Sequence, residues 1–203
     1  MGIPDVGSLH SFKRDIELIK SASKLIKESG AKIKLVADAN QGFITPEKTI
    51  EICAQINGCL DWLEQPTYAE NKDAFRKIKE KCSIKLMADE SVHSFYDAKS
   101  LIESGYVDYI NLKLMKTGGI FEALRIADFA AKYNVPCQMG SMLENVIGCA
   151  HSMHAFLSHP NIKTAELSSF TRLQKCIGSG VTLSKDQTIS IAESPGLGVD
   201  VQD

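Results

Sequence analysis

The sequence predicts an α/β fold: about six parallel strands of a β/α barrel that lacks its first two strand units. Three observations carry this. Four apolar runs end in a charged residue: KLVAD at Asp38, WLE at Glu64, IKLMAD at Asp89 and YINLK at Lys113. These ends are 26, 25 and 24 residues apart, room for one strand, one helix and two loops, the unit of a β/α repeat. Strand-like runs end near 38, 64, 89, 113, 139 and 166, six in 203 residues, whereas a closed barrel has eight strands in about 250 residues. An open doubly wound sheet is the alternative. It would gather its polar groups at one switch point, however, and here they are spread over four successive strand ends.

The elements follow in order. Residues 1–11 read as loop. Phe12, Ile16, Ile19, Leu25 and Ile26 fall at helical spacing over 12–29, and Gly30 stops the run. Residues 32–38 read as a strand, and Asn40-Gln41-Gly42 as a turn. Thr45 caps a helix with Pro46 at its first position, running to about Asn57 and closed by Gly58. Strand 60–64, helix 70–81, strand 84–89, a helix capped by Ser94 that runs to about Glu103, and strand 107–113 come next. Lys116-Thr117-Gly118-Gly119 reads as loop; it lacks the rest of a phosphate-binding motif. Helix 120–133, strand 135–139, helix 144–157 and strand 162–167 complete the repeat. A short hairpin pairs 181–183 with 188–191, and the Ser194–Gly198 tail is turn-rich.

Composition narrows the function. A chain 44% hydrophobic and 24% charged has enough apolar residues for an ordinary core. Net charge is −2 with no basic block, so nucleic acid is not an expected partner. No apolar run reaches the ~18–20 residues that span a bilayer, and the N-terminus lacks the pattern of a signal peptide. Six cysteines without a CxxC read as reduced, mostly buried thiols of a cytoplasmic protein. Trp62 reads as core, and His151 and His154 as residues of a helix face without a third metal ligand.

In a parallel barrel, equivalent strand ends share one mouth, so Asp38, Glu64, Asp89 and Lys113 are expected to converge. Three converging carboxylates repel one another unless a cation lies between them. All-oxygen ligation selects a hard ion, Mg²⁺ first and Mn²⁺ second. A lysine beside that cation loses its proton more readily and can act as a base. Metal plus base points to removal of the proton α to a carboxylate, with the metal stabilising the resulting enediolate. Lys116 competes for the base role but lies in the following loop.

The motifs DANQGF, WLEQPT, MADES, INLKLMKTGGI and GSMLE, in this order and spacing, resemble the barrel domain of the enolase superfamily. The similarity runs from about residue 12 to 200 and is strongest to the muconate lactonizing subgroup, and within it to dipeptide epimerases of the L-Ala-D/L-Glu type. It implies the C-terminal part of a (β/α)7β, TIM-like barrel over residues 1–180, with 181–203 returning toward an N-terminal capping domain. By the resemblance Asp38, Glu64 and Asp89 hold Mg²⁺, and Lys113 is the acid/base on one substrate face. Asn40 and Glu90 support the ligands, and Gly140, Ser141, Met142 and Glu144 line the pocket.

Two features of that family have no counterpart here. The Lys-x-Lys that supplies the opposite-face base would precede Met1, as would the capping domain, so the resemblance implies a truncated and impaired chain. The Asp-x-Asp that grips a dipeptide ammonium is matched by Glu166-Leu167-Ser168, which leaves one carboxylate and a hydroxyl at Glu166 and Ser168. The implied activity is therefore a Mg²⁺-dependent epimerase or racemase of a dipeptide. N-acylamino acid racemase, o-succinylbenzoate synthase, muconate cycloisomerase and an inactive residual barrel are the alternatives. The expected partner is a small-molecule substrate, with homo-oligomer formation left open.

Overall fold

The computed structural model describes residues 9–201, with side chains from residue 12. The chain divides into two compact units. One runs to Val92 and takes in Ser100–Tyr109; the other comprises His93–Lys99 and everything from Ile110 onward.

In the first unit, helix α1 (Leu9–Ser29) is followed by β1 (Val36–Asp38), α2 (Pro46–Gln55), β2 (Trp62–Glu64), α3 (Ala74–Lys79) and β3 (Leu86–Ala88). Helix α4 (Phe95–Ser104) contributes its C-terminal half. The three strands are parallel and lie in chain order. β2 and β3 are buried along their whole length, as strands covered on both faces must be. Ile52, Ile56, Phe75 and Ile78, in or next to α2 and α3, are at most 1% exposed and belong to the core of this unit. Thr45 accepts a hydrogen bond from Lys48 N and caps α2, with Pro46 in its first turn, as the sequence predicts. Asp108 accepts from Leu86 N at 2.7 Å and pairs with Lys79 Nζ at 2.8 Å, anchoring the start of β3.

The second unit holds β4 (Tyr109–Leu112) from Ile110 on, α5 (Leu114–Thr117), α6 (Ile120–Lys132), β5 (Cys137–Met139), α7 (Val146–Ser158) and β6 (Ile162–Ala165). β4, β5 and β6 are again parallel and in chain order, with a bulge at Cys137/Gln138. A 3₁₀ turn (Ser169–Arg172) precedes β7 (Gly178–Ser179), β8 (Val181–Leu183), β9 (Ile189–Ile191) and β10 (Asp200–Val201). β8 and β9 form the predicted hairpin, and β7 pairs antiparallel with β10. The N-terminal half of α4 sets Phe95 against Phe129 and under the Arg125 guanidinium.

Six parallel strands, three to a unit and without a switch point in either, give the α/β fold that the strand-end period predicts. The differences are local. The loop expected over residues 1–11 lies outside the described residues up to residue 8, while residues 9–11 are helical. Residues 32–35 are not strand, because β1 has a single pairing partner within its unit and its start is exposed. Leu25 is 66% exposed, and Ser23 at 5% takes the inward position, since the buried stripe of α1 runs through Ile16, Ile19, Ser23 and Ile26. Helix α3 covers only part of 70–81. Lys116 and Thr117 belong to the one-turn helix α5, which Gly118 ends in a left-handed conformation (φ 88°). Among the described residues no helix is long and apolar enough to cross a membrane.

Candidate metal centre

Register in the first unit brings the three carboxylates together. Asp38 lies opposite Glu64, and Glu64 lies opposite Met87. Side chains alternate along a strand, so Asp89, two residues past Met87, returns to the face that carries Glu64. One carboxylate oxygen from each of Asp38, Glu64 and Asp89 lies within 4.8 Å of the others. Among the described residues this is the one cluster of three or more such side chains able to hold a metal ion. Glu64 is 5% exposed and Asp89 fully buried, while Asp38 is exposed.

Oxygens that share a Mg²⁺ at about 2.1 Å stand about 3.0 Å apart when adjacent and about 4.2 Å apart when opposite. The triad's span is therefore suited to one small divalent cation, with rotation of a carboxylate closing the remainder. Two buried anionic groups so close together need a positive partner to offset their desolvation. The donor set, oxygen throughout, suits a hard ion.

The turn after β1 supports Asp38. Asn40 donates to both its carboxylate oxygens, from backbone N and Nδ2, each at 2.8 Å. Asn40 and Gln41 stand at φ 42° and 65°, a left-handed region that Asn tolerates better than most residues. Asn40 Nδ2 also lies 3.5 Å from Glu90 Oε1, and Glu90 Oε2 is buried without a hydrogen-bond partner. Asn40 thus links the Asp38 carboxylate to Glu90, the residue after Asp89.

The other expected site residues lie in the second unit. Lys113, 9% exposed, ends β4 in extended conformation and precedes α5. Its carbonyl accepts from Lys116 N at 2.9 Å and Thr117 N at 3.1 Å, which fixes its backbone. Lys116, the competitor, reaches the Asn111 carbonyl at 3.5 Å. Gly140 bonds from its N to Leu112 O at 2.8 Å and has no room for a side chain: a Cβ there would run into the Asn111 amide. Ser141 is half-buried, and Met142 is exposed. Glu144 Oε2 is buried without a hydrogen-bond partner, while its carbonyl accepts from Ser169 Oγ at 3.0 Å. Glu166 is exposed beyond β6, its N bonded to Met139 O at 2.9 Å. Ser168, half-buried, opens the 3₁₀ turn.

Sequence reasoning passed over two residues. Gly148 lets Glu144 lie against α7, since a Cβ there would meet Glu144 Cβ and Cγ at 2.7 Å. Gln65, inside the WLEQPT motif, is fully buried beside Glu64; the sequence shows only a glutamine between a candidate ligand and a proline, and its burial comes from the structure. Trp62 is core, stacked on Tyr109 at 4.7 Å. His154 Nε2 lies 3.3 Å from Leu197 O. Burial pushes the Cys137 thiol up to about 12, and burial with Cys82 beside it does the same to Cys53, so neither is a nucleophile near neutral pH. A cavity of about 460 Å³ lies beside Leu60, Asp61 and Ser83–Lys85, at the opposite ends of β2 and β3 from Glu64 and Asp89.

The sequence model of the family described as "Enolase C-terminal domain-like" matches residues 4–203. The chain belongs to this family. The N-succinyl-L-Arg/Lys racemase of Bacillus cereus is 31% identical over 195 residues, 95% of this chain and 51% of the racemase. The L-Ala-D/L-Glu epimerase of Clostridium acetobutylicum is 32% identical over 185 residues, 90% of this chain and 51% of that enzyme. The solved dipeptide epimerase of Enterococcus faecalis, complexed with Mg and the dipeptide L-Leu-L-Tyr, superposes with a TM-score of 0.82 at 31% identity, over 93% of this chain and 53% of that one. This member of the family therefore has the fold of an enolase-superfamily barrel part. It spans about half the length of the curated relatives it matches, and those named here are isomerases.

Proposed function

We propose that this chain is the metal-holding part of a Mg²⁺-dependent epimerase or racemase that removes the proton α to the carboxylate of a dipeptide or acylated amino acid. The observation that carries the reading is the convergence of Asp38, Glu64 and Asp89, from the ends of three consecutive parallel strands, to within 4.8 Å. The names of its relatives, which act on dipeptides and N-succinyl amino acids, support the substrate class.

Asp38, Glu64 and Asp89 would hold Mg²⁺, with Asn40 orienting Asp38 through its two hydrogen bonds. Bound Mg²⁺ supplies positive charge opposite the negative charge that builds on the substrate carboxylate as the α-proton leaves. Lys113 Nζ takes that proton and can return it to the same face. Gly140, Ser141, Met142 and Glu144 border the substrate, and Glu166 with Ser168 receives its ammonium or acyl end. Inversion needs a second base on the opposite face. The residues named here account for α-proton exchange at one face of the substrate.

The test is α-hydrogen exchange in D₂O with Mg²⁺, using L- and D-configured dipeptides and N-succinyl amino acids. The chain is compared alone and fused behind the N-terminal half of a dipeptide epimerase. Exchange that depends on Mg²⁺ and Lys113 supports the reading. No exchange in either form, with no Mn²⁺ bound at the triad, rejects it.

A further inference from the structure

Gln65 stands between the candidate ligand Glu64 and Pro66, fully buried. Its side chain uses its whole hydrogen-bonding capacity. Oε1 accepts from Asp89 N at 2.9 Å and Ser91 N at 3.1 Å. Nε2 donates to Ser91 Oγ at 2.7 Å and Thr67 O at 3.0 Å. Two backbone N–H groups face Oε1 and can only donate, so the orientation of the amide is determined. The main chain of Gln65 is equally engaged: its N donates to Met87 O at 3.0 Å, and its O accepts from Gln41 N at 2.7 Å.

One residue therefore touches the ends of all three ligand-bearing strands. It is covalently joined to Glu64, bonded to the backbone N–H of Asp89, and bonded to the turn after Asp38. Its φ is +31°, a left-handed value that a residue before proline disfavours. Such a conformation persists where surrounding bonds impose it, and such sites cluster where function needs fixed geometry. Leucine or methionine would fill the volume with less desolvation, so the amide's contribution lies in direction rather than burial.

We propose that Gln65 is a positioning residue for the divalent cation: its amide sets the separation of the Glu64 and Asp89 carboxylates at the triad. The inference rests on the metal-binding reading above. It extends that reading to a residue without a carboxylate, acting through the backbone of a ligand rather than on the ion.

The test is Mn²⁺ binding to the whole 203-residue chain, followed by electron paramagnetic resonance, alongside metal-free thermal unfolding. Gln65→Met keeps the volume and removes all four side-chain bonds. It should bind Mn²⁺ about 10- to 100-fold more weakly, the usual range for losing a group that orients a metal ligand, with a broadened spectrum from the displaced carboxylates. Ser91→Ala removes one neutral hydrogen bond and should weaken binding about three- to tenfold; it decides the matter alone if Gln65→Met does not fold. A merely structural Gln65 would lower the unfolding midpoint and leave the affinity and spectrum of the folded protein at wild-type values, which would overturn the proposal while leaving the metal reading intact. A wild-type chain that holds no Mn²⁺, like an Asp89→Asn control, would remove the metal reading itself and this inference with it.

Discussion

Asp89→Asn should move stability and metal binding in opposite directions. The substitution keeps the shape of the side chain and removes one negative charge from a fully buried position. In the metal-free protein that charge lies within 4.8 Å of a Glu64 oxygen, itself 5% exposed. Two like charges at that distance repel by about 3.5 kcal/mol at an effective dielectric of about 20. The exposed Asp38 adds about 0.9 kcal/mol at the dielectric of water. The Asp89 carboxylate also has interactions of its own that the amide only partly reproduces, so the expected net gain is about 1–3 kcal/mol, or roughly 2–10 °C in the unfolding midpoint. The wild type should recover the difference on adding Mg²⁺, by about 2.7 kcal/mol at a hundred times its dissociation constant. The variant should not respond. Thermal and urea unfolding with and without Mg²⁺ measures all four states. A variant less stable than wild type without metal, and stabilised by Mg²⁺ to the same extent, would refute the claim that these oxygens face a common ion.

Three further outcomes follow from the packing. Asp108→Ala should cost about 2–3 kcal/mol in urea unfolding, because it strands the Leu86 N–H at the start of β3 and leaves Lys79 without its partly buried partner; a loss below about 0.5 kcal/mol would mean solvent replaces both bonds. Gly140→Ala should cost about 1–3 kcal/mol, since the new methyl displaces the buried Asn111 side chain, and unchanged stability would show that Asn111 can move aside freely. Stability should be constant up to about pH 9 and decline toward about pH 12, because the Cys53 and Cys137 thiols hold their protons more tightly when folded than when unfolded. Cys137→Ala should make that decline shallower, as read from urea midpoints at pH 8, 9.5 and 11; an unchanged pH profile would show that Cys137 titrates normally in the folded chain.

Much of this was legible in the residues. Alternating apolar runs and helical stretches separated by Gly30, Gly58 and Gly105 reflect local preferences, and those act over a few residues. Thr45-Pro46 and Ser94 start their helices with side-chain bonds to residues three positions on. The identities of Asp38, Glu64 and Asp89 were evident because charge at the end of an apolar run is conspicuous. Their alignment was not. A near-constant period suggests three equivalent positions, yet Asp38 and Glu64 are in register while Glu64 faces Met87 and Asp89 lies one pleat further. Strand lengths were overestimated, most clearly at residues 32–35, where the alternating Lys32-Ile33-Lys34-Leu35 pattern precedes the first paired residue, Val36.

What the chain's order of residues determined by itself was the alternation of elements, the chemistry of the strand ends and membership of a β/α class, because each depends on neighbours in sequence. Only the tertiary structure decided the two-residue stagger that returns Asp89 to the face of Glu64, the inward turn of Ser23 in place of Leu25, and the part played by Gln65. Each of these depends on hydrogen bonds or burial between segments more than twenty residues apart, or on which helix face meets a sheet, and no local propensity encodes that.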